Sequence, residues 1–261
     1  VNKIELASMI KSNRPDDLRE WANYYLALGY DRITIYDNES TFSVKDLFAD
    51  YKNIEVRPVK SEPNFTSFAA YLYTETCKEK RGQTEWMSFF DNDEYLWLKN
   101  SKNIQDVLEN DFIVLCFYWK FISLPHVIES RKSTIIDTFN YTSMNTPCSN
   151  HVHVKSMVNL NKCAGVIWDS VHLPVADGRM SGHTTNGVCI NFEHTPITDN
   201  FYNNQSAILY HYFYQSYEDW LFKTEKNPDY KCSREDFESY IVGKYNILDN
   251  NIIDKKKELG I

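Results

Sequence analysis

No stretch of this 261-residue sequence approaches the roughly 18 to 20 uninterrupted apolar residues that a membrane helix needs. Its first residues, VNKIELASMIKSNRPDD, also lack the apolar region of a signal peptide, so the protein is expected to be cytoplasmic, with peripheral membrane association left open. Val1 is no natural start, which leaves room for targeting elements trimmed from a longer chain. Basic charge is short as well. The net charge of -8 excludes a general nucleic-acid binder, because counterion release needs a basic face. A ligand carrying phosphate would then need a cation beside it. Cys77, Cys116, Cys148, Cys163, Cys189 and Cys232 form no C-x-x-C pair and no zinc-finger spacing, and they read as reduced thiols, with disulfides formally open. Internal repeats and low-complexity linkers are missing too.

What is present suffices for a sizeable core: 43% hydrophobic residues and 15% aromatics. The first ninety residues alternate strand and helix signals. KIELASMI alternates Ile4, Leu6 and, less cleanly, Met9, as a strand would. Pro15 opens a helix carrying Leu18, Trp21, Ala22, Tyr25 and Leu28 at helical spacing, and Gly29 is placed to end it. RITIYDN is the next strand, SVKDLFADY a short helix and IEVRPV a strand. Residues 66–80 form a helix with Phe68, Ala69, Leu72 and Thr76 along one side, and EWMSFFD is again a strand. Such alternation predicts an α/β fold with a mostly parallel central sheet and helices on both faces. Ligands bind such sheets beyond the carboxyl ends of the strands, where YDNES and DNDE both fall.

Regularity declines after residue 100. NIQDVLEN reads as a short helix, FIVLCFYW as a buried strand and AILYHYFY as extended. SYEDWLFKTEK opens with a capping box of Ser216 and Asp219, and DKKKELGI is a solvated helix or fraying tail.

The acidic cluster FFDNDEYLW is the most informative stretch. In an extended strand Asp91 and Asp93 point the same way, and two carboxylates on one side repel each other unless a cation sits nearby. Oxygen ligands of this kind suit Mg2+ or Mn2+, which would in turn hold a diphosphate. An EF-hand fails because Leu96 and Lys102 stand where Gly and Glu are required. A phosphatase nucleophile fails at Tyr95.

LREWANYYLALGYDRITIYDNEST and EWMSFFDNDEYLW together resemble glycosyltransferase family 92 and the family 2-like group, nucleotide-sugar transferases of the GT-A fold. VKSMV followed by His172, and ILYHYFYQSYEDWLFK, are looser points of similarity. The resemblance implies a single GT-A domain over residues 1–226, with a nucleotide-binding half (1–100) and an acceptor-side half (101–226), followed by a C-terminal helical extension (227–261). It implies metal-dependent transfer of a sugar from a nucleotide diphosphate donor, expected to be a UDP-sugar, to a hydroxyl of a glycan or lipid-linked acceptor, with inversion. Asp91 and Asp93 would be the D-x-D pair, Asp93 the direct metal ligand and Asp91 nearer the ribose. His211 would be a third metal ligand or diphosphate contact, and Mn2+ or Mg2+ the cofactor. Asp37 and Asn38 would meet the nucleoside and Lys155 the diphosphate. For an inverting enzyme Asp169, His172 and Glu193 are candidate bases. The sequence departs from the family in SNRPDD, where the acid that starts the first helix is replaced by Asp16 or Asp17, and in FYWKFISLP, which lacks the family's glycines.

Each residue has a plainer reading. Asp37 caps a turn with Ser40, His172 pins a loop, His151 and His153 lie on a surface strand, and Trp97 and Trp119 are core rings. A catalytically inactive nucleotide- or glycan-binding module on the same scaffold is the alternative function. A nucleotidyltransferase would bring a glycine-rich loop after the first strand, which MIKSNRPDD does not offer.

Overall fold

The computed structural model describes residues 3–60, 65–108, 111–143, 153–191, 205–226 and 233–261. In chain order β1 (Ile4–Ile10), α1 (Pro15–Ala27), β2 (Arg32–Asp37), α2 (Val44–Leu47), β3 (Ile54–Pro58), α3 (Phe65–Lys80) and β4 (Trp86–Phe89) form the βα series read from the sequence. β5 (Glu94–Leu98) and the long β6 (Val114–Ser123) follow, then α4 (Ile135–Thr138), β7 (Tyr141–Thr142) and β8 (Val154–Asn159). Next come the short strands β9 (Val166–Ile167), β10 (Val175–Ala176), β11 (Gly182–His183) and β12 (Cys189–Ile190), then β13 (Ala207–His211) and α5 (Tyr217–Lys226). The chain closes with α6 (Arg234–Ile241), β14 (Ile247–Leu248) and α7 (Asn251–Leu259). Among the described residues no helix is long and apolar enough to cross a membrane.

The main sheet runs β12-β11-β6-β8-β4-β1-β2-β3. β4, β1, β2 and β3 are parallel, but β8 lies antiparallel between β4 and β6, so the sheet is mixed rather than mostly parallel. β6 serves two neighbourhoods. Val114–Tyr118 pair with β8, whereas Trp119–Phe121 pair with β13, which in turn pairs with β5. The sheet therefore curls apart at Trp119, and the turn joining β4 to β5 lies where it divides.

β1 is buried along its whole length, because helices cover both faces of the parallel half. Ile4, Leu6 and Ile10 meet the core that includes Leu18, Trp21 and Tyr25 of α1, while Ala7 and Met9 meet Ala69, Ala70, Tyr73 and Cys77 of α3. Met9 thus belongs to the opposite face from Ile4 and Leu6. The buried side of α3 is centred on Ala69, Ala70, Tyr73 and Cys77, with Phe68 and Leu72 only half-buried at its flank. Small side chains let this helix lie close to the sheet.

Gly29 ends α1 at φ +100, and a Cβ there would lie 2.5 Å from Asn103 Oδ1. Asn103 is fixed in place, its Oδ1 accepting from Gln105 N at 2.9 Å. Gly29→Ala is expected to lower stability by about 1–3 kcal/mol, read as a lower denaturation midpoint at unchanged slope.

The C-terminal lysine-rich segment is the helix of the two alternatives rather than a fraying tail, mostly exposed but packed along one face. Ile252 is buried against the main core, and Lys255 Nζ donates to the Ser101 carbonyl at 2.8 Å. β14 extends β7, and Asp249 accepts from Lys120 Nζ at 2.5 Å, so the segment is tied to β7 and β6. Of the described cysteines, Cys77, Cys116, Cys163 and Cys189 are free thiols. Burial pushes Cys77 and Cys116 up to about 12, which leaves both unreactive.

Candidate active site

The acidic cluster is a turn, not an extended strand end. β4 stops at Phe89, and Glu94 N donates to the Asp91 carbonyl at 3.0 Å while Asp91 N donates back to Glu94 Oε2 at 2.8 Å. Asp and Asn at the tip are the residues that such a turn favours. The expectation that Asp91 and Asp93 share one strand face therefore fails, because i to i+3 closure turns the chain between them. Each carboxylate finds its own ammonium instead.

Asp91 Oδ2 accepts from Lys155 Nζ at 2.8 Å, and Glu94 Oε2 lies 3.8 Å from the same nitrogen. Lys155 lies on β8 with no exposed surface. Burial alone would lower its pKa, but Asp91 and Glu94 outweigh it and keep the ammonium charged. Asp91 is 38% exposed, so of this pair it is the carboxylate, not the lysine, that faces outward.

Asp93 is deeper. Its Oδ2 accepts from Lys223 Nζ of α5 at 2.6 Å, and its Oδ1 lies 3.5 Å from Nε2 of His211 at the end of β13. Tyr212 N donates to the Asp93 carbonyl at 2.9 Å, which fixes the turn against β13. Burial would raise the Asp93 pKa, yet Lys223 and then His211 hold it well below the ordinary carboxylate range. His211 itself is pushed down by burial despite Asp93, so near neutral pH its ring is uncharged and Lys223 is the cation that holds Asp93 ionised.

The sign for stability follows from that depression. The Asp93 contribution is complete above its ordinary value of 3.8 and is lost as pH falls below it through the folded value. The stability gap between the wild-type chain and Asp93→Asn, measured by denaturant titration, should be full at pH 6 and should close below about pH 4.

Trp119 forms the wall beside this pair. Its ring centroid lies 4.3 Å from His211, 5.1 Å from His153 and 5.1 Å from His172. His172 Nδ1 lies 3.1 Å from the Val154 carbonyl, so Nδ1 carries the proton and Nε2 is the acceptor nitrogen of the neutral ring. The loop-pinning role read from the sequence is thus real, and it also sets the tautomer. Asp169 is exposed, directly after Trp168, whose ring packs on Tyr73 and Phe89. Glu193 and His151 lie outside the described residues.

Asp37 and Asn38 end β2 on the same carboxyl edge. Asp37 Oδ1 accepts from Ser40 N at 3.0 Å, the turn-capping bond read from the sequence, and Asn38 N donates to the Ile10 carbonyl at 2.8 Å. β1 lies between β2 and β4, so two strand spacings, about 10 Å, separate this cluster from the acidic turn. The structure brings Asp91, Asp93, Lys155, His211 and His172 into one neighbourhood and leaves Asp37 and Asn38 at its far end.

Lys223 closes the ILYHYFYQSYEDWLFK similarity, but no role for it was read from the sequence. It follows Ser216, Asp219 and Trp220 at i+7, i+4 and i+3, and all three are buried. A helical projection of SYEDWLFKTEK would have put the lysine on the inward face. Ser216 caps α5 on Asp219 as expected, its Oγ also donating to Asp219 Oδ2 at 2.6 Å, and Asp219 takes part in a wider ion cluster. The Asp219 N–H donates to Ser216 Oγ at 3.3 Å, and its carboxylate also accepts from Arg131 Nε at 2.8 Å and Arg14 Nε at 2.9 Å.

A donor set of one carboxylate and one neutral imidazole suits a hard divalent ion whose other ligands come from water and phosphate. Asp93 Oδ1 and His211 Nε2 stand close enough to share such an ion, and His211 Nδ1 is buried with no hydrogen-bond partner. No group of three or more His, Cys, Asp or Glu among the described residues is placed to hold a metal, so Asp91 does not complete a three-ligand cage.

A parallel half, an acidic turn at its carboxyl edge and an antiparallel second half together make an α/β fold with a mixed central sheet. The chain belongs to glycosyltransferase family 92, whose family model matches residues 7–242. A family 92 protein of Oryza sativa subsp. japonica is 30% identical over 105 residues, covering 38% of this chain and 17% of that protein. One of Ricinus communis is 26% identical over 93 residues, covering 36% and 17%. The match thus spans under a fifth of either relative. Among solved structures, S. aureus TarS 1-349 overlaps 60% of this chain and 47% of its own at 13% identity and a TM-score of 0.37. A glycosyltransferase involved in glycosylation of the major capsid of PBCV-1 covers 60% of each chain at 20% identity and a TM-score of 0.27. Both likenesses are too distant to carry an argument.

Proposed function

We propose that this chain transfers a sugar from a nucleotide diphosphate, a UDP-sugar, to a hydroxyl of a glycan or lipid-linked acceptor, with a divalent ion, Mn2+ or Mg2+, at the acidic turn. The observation that carries this reading is the buried Asp93 carboxylate, ionised and set 3.5 Å from the neutral His211 ring at the sheet's carboxyl edge. Asp93 and His211 would hold the ion, and the ion would supply charge stabilisation for the departing diphosphate. Asp91, backed by Lys155, would accept hydrogen bonds from the ribose, and Asp37 and Asn38 would meet the base or ribose at the distal end. Trp119 would give the sugar an apolar face.

An inverting transfer needs a base on the acceptor side. Of Asp169 and His172, the two candidates among the described residues, His172 is favoured as that base by its Nδ1–H bond to Val154, which directs Nε2 to the acceptor role. A thermal-shift panel of UDP-, GDP-, CDP- and dTDP-sugars with and without Mn2+ tests the whole reading. The UDP-sugar with Mn2+ should give the largest rise, about 2.7 kcal/mol at a ligand concentration 100 times Kd. No metal-dependent shift with any nucleotide would count against it, and a shift without turnover would favour a binding module.

A further inference from the structure

Lys223 occupies the position of a cation. Its Nζ lies 2.6 Å from Asp93 Oδ2, on the same carboxylate whose other oxygen faces His211, and it also donates to the Phe213 carbonyl at 3.1 Å. Its side chain is 26% exposed, so the ammonium is not sealed in. Lys155 differs, being wholly buried, 2.8 Å from Asp91, and unable to move without leaving that carboxylate uncompensated. One lysine is a fixture and the other is able to change partners.

We propose that Lys223 is a donor-binding residue that exchanges partners: it holds the cation position at Asp93 until a nucleotide diphosphate and its divalent ion enter together, and then passes its charge to the diphosphate. The inference rests on the metal-dependent reading above and deepens it.

Charge and distance carry the argument. A divalent ion reaching Asp93 and His211 alone must displace or repel an ammonium 2.6 Å from the same carboxylate, which weakens binding of the ion by itself. When the ion arrives with a diphosphate, the displaced ammonium has a new anion within reach of its four-carbon stem, and the repulsion becomes an attraction. Ion and nucleotide therefore favour each other through Lys223, over and above their direct bond. By linkage the coupling is the same whichever ligand is followed.

The test is equilibrium Mn2+ binding, followed by the spin-resonance signal of free Mn2+, with and without UDP, on the wild-type chain, Lys223→Met and Lys223→Arg. Removing the charge in Lys223→Met should tighten Mn2+ binding without UDP by roughly tenfold, and loosen UDP binding in Mn2+ by a similar factor. Lys223→Arg should restore the wild-type direction of both. If Lys223 merely ties α5 to the turn, Lys223→Met lowers the melting temperature and leaves both constants unchanged, which overturns the inference while the metal reading stands. If the wild-type chain binds no Mn2+ with or without UDP, the metal reading itself fails and takes the inference with it. Should Lys223→Met not fold, Lys223→Gln keeps a donor for the Phe213 carbonyl and carries the same measurement. Unchanged constants there have the same meaning.

Discussion

Asp93→Ala should leave a folded chain that has lost transfer by on the order of 10^3-fold in kcat/KM, the rate equivalent of about 4 kcal/mol of charge stabilisation at the leaving group. Truncation removes the only carboxylate facing both His211 and Lys223 in the pairs described here. The fold should survive for a specific reason. Lys223 is 26% exposed and can return its ammonium to water, and His211, pushed down by burial, stays neutral without its partner. Neither group is left as a stranded buried charge. Circular dichroism should therefore overlay on the wild type while product formation from the donor sugar disappears. Asp91→Ala should cost less in rate, since Asp91 is 38% exposed and its carboxylate pairs with Lys155 rather than facing His211.

Arg131→Ala should do the reverse, unfolding the chain far more readily without touching the chemistry. The Arg131 side chain is only 2% exposed and is shared by Asp17 at the start of α1 and Asp219 at the start of α5, which are 5% and 6% exposed. Arg131 Nη1 donates to Asp17 Oδ1 at 2.7 Å and Nε to Asp219 Oδ2 at 2.8 Å, and Arg14 Nε reaches the other Asp219 oxygen at 2.9 Å. Burial raises Asp219, but Arg131 outweighs it and holds the carboxyl below its ordinary range. Removing the guanidinium leaves Asp17 with no comparable buried cation and Asp219 with Arg14 alone. Breaking such a cluster costs about 3–5 kcal/mol, a fall in melting temperature on the order of 10 °C for a chain of this length. The contrast with Asp93 turns on solvent access to the partner left behind, not on the number of ion pairs.

The N-terminal half was legible because local rules decide it. Pro15 at the helix start, Gly29 at its end, and Ile33 with Ile35 on one strand face all stand where periodicity and turn chemistry place them. What the letters did not carry is long-range. The Asp and Asn of DNDE favour a turn, but nothing local says where it closes or what it packs on, because that outcome depends on β5 pairing with β13, more than a hundred residues later. The switch from parallel to antiparallel pairing depends on β8, whose VKSMV pattern fits either direction. Asp17, marked only as a possible replacement for a family acid, proved to be one member of a buried ion cluster with Arg131 and Asp219. Asp91 and Asp93 were found as a pair, but the lysines that separate them come from β8 and α5. Charge complementarity across such distances has no signature in one sequence.

The most direct measurement is calorimetric titration of UDP into the wild-type chain and into Asp93→Asn, each with and without Mn2+. UDP should bind the wild-type chain far more tightly with Mn2+ than without it, and Asp93→Asn should lose that strengthening. UDP binding indifferent to Mn2+, or unchanged by Asp93→Asn, would contradict the metal-dependent reading.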